Sequence, residues 1–112
     1  MTKIDLPSGG WADVREASAI RWVDRRKAMD SLDETQGSVS RGFRALEMSM
    51  VLGVVEWSFD RPIPSERFES LDELEIPDGD VIAIACVPIQ GLFFVDFSMK
   101  IENGKLKEGS PT

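Results

Sequence analysis

Residues 43–59 read FRALEMSMVLGVVEWSF, the longest apolar-rich run in the chain, and the fold turns on how this run is read. On a period of 3.6 residues, Phe43, Leu46, Met50, Val54 and Trp57 share one face. Val51, Val55 and Phe59 widen that face until most of the circumference is apolar. A helix that is apolar nearly all round is buried among other elements. Arg44, Glu47, Ser49 and Glu56 interrupt the run, and it falls short of the ~20 mostly apolar residues that a membrane span needs. The stretch therefore reads as the central helix of a small domain, a scaffold with no catalytic motif in it.

Upstream, Asp33–Ser40 (DETQGSVS) has the composition of a loop, with Ser38 or Ser40 as the N-cap of the central helix. Gly42 and Gly53 sit inside that helix at up to ~1 kcal/mol each relative to Ala, and Gly53 marks a place for close approach by another helix. A further helix is expected from Glu16–Ser18 to about Leu32, with Ile20, Val23, Ala28 and Leu32 along a loose apolar face. It carries the basic cluster Arg21, Arg25, Arg26 and Lys27, read as a solvated face or as a contact for an acidic partner. At the N-terminus, residues 3–6 and 11–15 alternate apolar and polar residues around Pro7-Ser8-Gly9-Gly10, which predicts a β-hairpin over 3–15. Ile4, Leu6, Trp11 and Val14 are its inward candidates. A lone hairpin is marginal in water, so it must rest on helices or on a partner's sheet edge.

Downstream, Pro62 and Pro64 stop the central helix. Ser70–Leu74 suits a single helical turn, with Ile63, Phe68, Leu71, Leu74 and Ile76 pinning the connection to the core. Residues 78–94 (DGDVIAIACVPIQGLFF) admit a buried strand at 81–87. Asp78 and Asp80 as first-turn acids, and the length of the segment, favour a helix kinked or ended by Pro88. Asn103-Gly104 is a turn signal, and residues 98–112 read as a flexible tail after a domain spanning 1–97. The fold class expected from these elements is mainly α: a small helical domain of about three helices with an N-terminal β-hairpin.

With 112 residues and a net charge of -7, the chain has the size of one domain and lacks the basic footprint of a nucleic-acid binder. Histidine is absent and Cys86 is the sole cysteine, so Ser-His-Asp, Cys-His and His-metal sites and an internal disulfide are excluded. No glycine-rich phosphate loop or calcium loop is present. The expectation is a non-enzymatic protein with no cofactor, no metal and no membrane segment. The N-terminus has no apolar signal core, which points to the cytoplasm. Phe93, Phe94, Phe97 and Met99 are more aromatic and apolar than a loop needs, and they are the candidate partner-binding residues, core packing being the other reading.

The order of these pieces resembles a known family. Leu6-Pro7-Ser8-Gly9-Gly10, then Trp57-Ser58-Phe59 with Pro62-Ile63-Pro64, then Leu71-Asp72-Glu73-Leu74 resemble the tail assembly chaperone-like proteins of long-tailed bacteriophages and prophages of actinobacteria. The similar portion covers roughly residues 3–97. The resemblance implies a mostly helical protein of the host cytoplasm that binds the tape-measure protein and the tail-tube subunits during tail morphogenesis. It also implies a frameshifted longer form, for which Gly104-Lys105 is a weak signal, and it carries over no catalytic residue. The alternatives are a structural virion component, such as a head–tail connector or tail-tube subunit, and an acidic inhibitor that mimics nucleic acid. Homo-oligomerisation is left open.

Overall fold

The computed structural model describes residues 1–33, 38–93, 99–102 and 105–108. The chain opens with the hairpin β1 (Thr2–Asp5) and β2 (Trp11–Val14), antiparallel with Ile4 opposite Ala12. The reversal between them needs a left-handed residue, and Gly9 supplies it at φ 97°. A 3-10 turn at Ala17–Ala19 leads to α1 (Trp22–Asp33). Asp24 caps the start of α1 by accepting the Arg21 backbone N–H at 2.9 Å. After α2 (Ser38–Gly53) and β3 (Val54–Trp57), a 3-10 segment at Phe68–Glu73 precedes α3 (Ile76–Ala85) and the short α4 (Val87–Gln90). A separate antiparallel pair, β4 (Met99–Glu102) and β5 (Lys105–Glu108), follows. Of the loop expected over Asp33–Ser40, Asp33 closes α1 and Ser38–Ser40 already belong to α2; residues 34–37, and Asn103-Gly104 with its turn signal, lie outside the described residues.

The expectation of a mainly α fold is overturned: this is an α/β domain with a three-stranded antiparallel sheet, order β1-β2-β3. The central run is two elements, a helix ending at Gly53 and a strand at Val54–Trp57. Val54-Val55 is β-branched and favours an extended, half-buried surface. The misleading feature is a bulge. Asp13 pairs with Glu56 and Val14 with Val54, so Val55 is an extra residue in β3. That extra residue lets Val54 and Trp57 bury on the same face, at 1% and 6% exposure, although they are three apart. A spacing of three is a helical signature, and here a bulged strand produces it. In the hairpin, Ala12 and Val14 point into the core and Trp11 does not, because strand neighbours alternate faces. The Trp11 ring packs outside under the Lys3 ammonium, 4.3 Å from its centroid.

The helix expected within residues 78–94 is found as α3 to Ala85 and α4 over Val87–Gln90, with the break at Cys86 and Pro88 in the first turn of α4; Gly91–Phe93 are no longer helical. Two cores form on opposite sides of α2. One joins the sheet to α3 through Val14, Met50, Val54, Trp57, Ile82 and Cys86. The other joins α1 and α4 to α2 through Ala28, Leu32, Ala45, Ile89 and Phe93. This explains why the second half of α2 is apolar on two faces, Met50 turned to one core and Met48 and Leu52 to the other.

Gly53 sits where the two cores meet. A Cβ there would lie 2.6 Å from Cys86 Sγ, 3.1 Å from Ile89 Cδ1 and 3.6 Å from Val14 Cγ1. Its carbonyl, at the helix end, accepts the Arg15 backbone N–H at 2.7 Å, so the last turn of the helix hands over directly to the sheet. A second tie is the buried Asp78, at the third position of α3. Its carboxylate accepts the Ser8 backbone N–H at 3.0 Å and the Ser8 hydroxyl at 2.6 Å, fastening the hairpin turn to the helix start.

Gly53→Ala is expected to destabilise the protein by about 1–3 kcal/mol in denaturant unfolding, from overpacking against Cys86. Adding Cys86→Ala should recover part of that loss, giving a non-zero coupling in the double-mutant cycle. Asp78→Ala is expected to cost about 2 kcal/mol, since hydrogen bonds to a charged group are each worth ~1.5–3 kcal/mol and Ser8 can rehydrate. Ser8→Ala in the Asp78→Ala background should add little.

Candidate partner-binding surface

An open groove of about 150 Å³ runs between α2 and the start of α3. Helical spacing places its walls. Phe43, Leu46, Glu47 and Met50 recur at three- and four-residue steps along α2, and Ile76, Gly79, Asp80 and Ala83 do the same along α3. Leu71 and Leu74, from the 3-10 segment and its end, close one side and pack onto the first core. That segment is held by charge and aromatic contacts. The Arg44 guanidinium lies 4.8 Å from the Phe68 ring, and Glu73 pairs with Arg61 and Arg67, each at 3.6 Å. Arg61 in turn stacks over Phe59 and Trp57, and Trp57 Nε1 donates to the Arg61 carbonyl at 3.0 Å.

The lip of the groove is apolar and uncovered. Phe43 is 61% exposed and Ile76 is 76% exposed. Phe43, expected on the buried helix face, and Ile76, expected to pin the connection to the core, are both in solvent instead. Ile84, about two turns along α3 from Ile76, and Val87 at the start of α4 are also exposed. Single exposed apolar residues mean nothing, whereas two on the lip of one apolar groove make it a candidate contact surface.

The rim is acidic. Glu47, Glu75 and Asp80 line it. Burial pushes the Glu47 carboxyl above its usual range, with Arg44 pulling it down and the neighbouring Asp72 pushing it further up. Among the described residues no hydroxyl, thiol or amine side chain lines the groove, so its described lining offers apolar contact framed by negative charge. The Cys86 thiol is fully buried in the first core, and burial raises it to about 12, which leaves it unreactive at neutral pH. Among the described residues no group of three or more His, Cys, Asp or Glu side chains is placed to hold a metal ion, and no helix is long and apolar enough to cross a membrane.

Of the residues singled out for partner binding, Phe93 is 1% exposed and packs in the second core with Leu32 and Ile89. Phe94 and Phe97 lie outside the described residues, and Met99 begins β4. Of the four, only Phe93 has a described side chain, and it is core. The hairpin edge is half taken, because β3 pairs with β2; the β1 edge, unpaired among the described residues, carries Lys3 and Asp5, charges that discourage strand addition.

The protein-family models gave no match to this chain, and neither did a search of curated proteins or of solved structures.

Glu47→Gln tests the electrostatics of the groove. Folded Glu47 holds its proton more tightly than the unfolded chain does, so its ionised form opposes folding above the ordinary glutamate range. The substitution is expected to raise Tm slightly at pH 7. Thermal unfolding followed downward in pH should show that gain vanish below the ordinary glutamate pKa, where both states are protonated.

Proposed function

We propose that this chain is a non-enzymatic assembly chaperone of a bacteriophage tail, acting in the host cytoplasm. It binds a tape-measure or tail-tube protein reversibly and masks apolar segments of that client until they are built into the tail. The tail-assembly part of the reading rests on the sequence resemblance over residues 3–97. The client-binding part is carried by one observation, the uncovered groove between α2 and α3 with Phe43 and Ile76 exposed on its lip.

A helix laid into such a groove would place its apolar side on Leu46, Met50, Leu71 and Ala83, and its basic side on the acidic rim. The contact is small and open, which suits a client that must later be released. No catalytic step is needed for this function.

Co-expression with the tape-measure or tail-tube protein should yield a complex that survives size-exclusion chromatography. Phe43→Asp with Ile76→Asp should weaken it by at least about tenfold, since exposed aromatic anchors carry much of the energy in such interfaces. Circular dichroism should show the variant folded, because both side chains are already in solvent. Stoichiometric copies of the protein in purified virions would refute the chaperone reading.

A further inference from the structure

We propose that the groove between α2 and α3 accepts the start of α1 from a second copy of this chain, with the Trp22 indole seated on the groove and Arg26 and Lys27 against its acidic rim. The two surfaces are complementary and lie on the same molecule. Trp22 is 63% exposed and Val23 49% exposed, at the first turn of α1. Arg21, Arg26 and Lys27 surround them in solvent. On the groove, Phe43 and Ile76 stand exposed with Glu75 and Asp80, which are themselves exposed. Neither Arg26 and Lys27 nor Glu75 and Asp80 have an ion-pair partner among the described residues.

The α1 knob is already held in shape. Arg25 Nε donates to the Leu92 carbonyl at 2.6 Å, and the Arg25 guanidinium packs 5.0 Å from the Trp22 ring centroid. A side chain fixed before binding loses less entropy on docking. Trp and Arg are also the residues that dominate protein–protein interfaces. Within one chain both surfaces remain exposed, so they do not satisfy each other; a second copy supplies the missing half. Overall charge of -7 opposes association between copies, so the pairing depends on this local match of basic knob to acidic groove. Because knob and groove are different surfaces, the contact is head-to-tail. Each added copy leaves one knob and one groove free, and assembly proceeds beyond a dimer to a ring or an open chain.

The proposal concerns copies of this chain alone and does not rest on the client reading, though both use one groove, so a bound client displaces the second copy. Light scattering on the full chain, across a wide concentration range, should give a mean mass that climbs above the 12.5 kDa monomer. Trp22→Ala, and separately Ile76→Ser with Asp80→Lys, should each weaken association by about tenfold or more. Mixing these two variants should give one-to-one pairs that do not grow, because only one knob and one groove remain competent. Arg26→Glu with Lys27→Glu should lose association and regain it when mixed with Glu75→Lys/Asp80→Lys. A wild-type chain that stays monomeric throughout, association that Trp22→Ala leaves unchanged, or variant mixtures that fail to pair would each overturn the proposal. Matching thermal unfolding of all variants excludes misfolding as the cause. Loss of client binding with self-association intact would remove only the function proposed above.

Discussion

The absent side chain at Gly53 is the constraint on which the rest of the structure depends. At that position the helix stops, the strand begins, and the Cys86 elbow between α3 and α4 comes down onto the backbone. Cys86 Sγ occupies the space that any Cβ at residue 53 would need, and Ile89 and Val14 stand close behind. Each core draws residues from one side of this point: Cys86 and Val14 belong to the first, Ile89 to the second. A larger residue would push the sheet and the two C-terminal helices apart at once. The cost of a glycine near a helix end, up to ~1 kcal/mol, is small beside the packing it permits.

Two further devices keep the layers in register. Asp78 ties the hairpin turn to α3 through Ser8, and the carboxylate is satisfied at the positive end of that helix. The Trp57–Phe59–Arg61 cluster turns the chain out of β3, with the Trp57 and Phe59 rings edge to face at 5.2 Å. Between these two anchors, the 3-10 segment carries Leu71 and Leu74 inward but leaves the space between α2 and α3 unfilled. The groove is thus a consequence of how the connection is fastened. Its lip residues stay in solvent because nothing in the chain reaches over them among the described residues.

How much was legible in the sequence varied element by element. The hairpin announced itself through alternation and a Gly-Gly turn, both local signals. The preference for helix over strand at 81–87 came from first-turn acids and length, and the structure has helix there. The central run misled because Val54 and Trp57, three residues apart, fit a helical period, while the bulge at Val55 that creates this spacing exists only when β3 pairs with β2. The candidate site was the least legible part. Phe93 lies close to the chain's aromatic cluster and is core, whereas Phe43 and Ile76 sit in patterns that look like core and are exposed. Periodicity reports which residues share a face, and it does not report whether that face meets a partner element or water.

The central helix does not run on to Pro62 and Pro64 as expected but ends at Gly53, whereas the hairpin turn, the two long helical patterns and the absence of histidine chemistry can be read from the residues alone. Those follow from backbone preference, side-chain type and spacing, which act over a few residues. Only the tertiary structure decided that the apolar run divides at Gly53, that the sheet has a third strand, and that Phe43, Ile76, Glu75 and Asp80 frame an open groove. Each of these depends on residues distant in the chain: Cys86 above Gly53, Asp13 and Val14 beside Glu56 and Val54, and α2 beside α3. Apolar residues gain by leaving water whichever surface covers them, so their pattern alone does not say which surface that is.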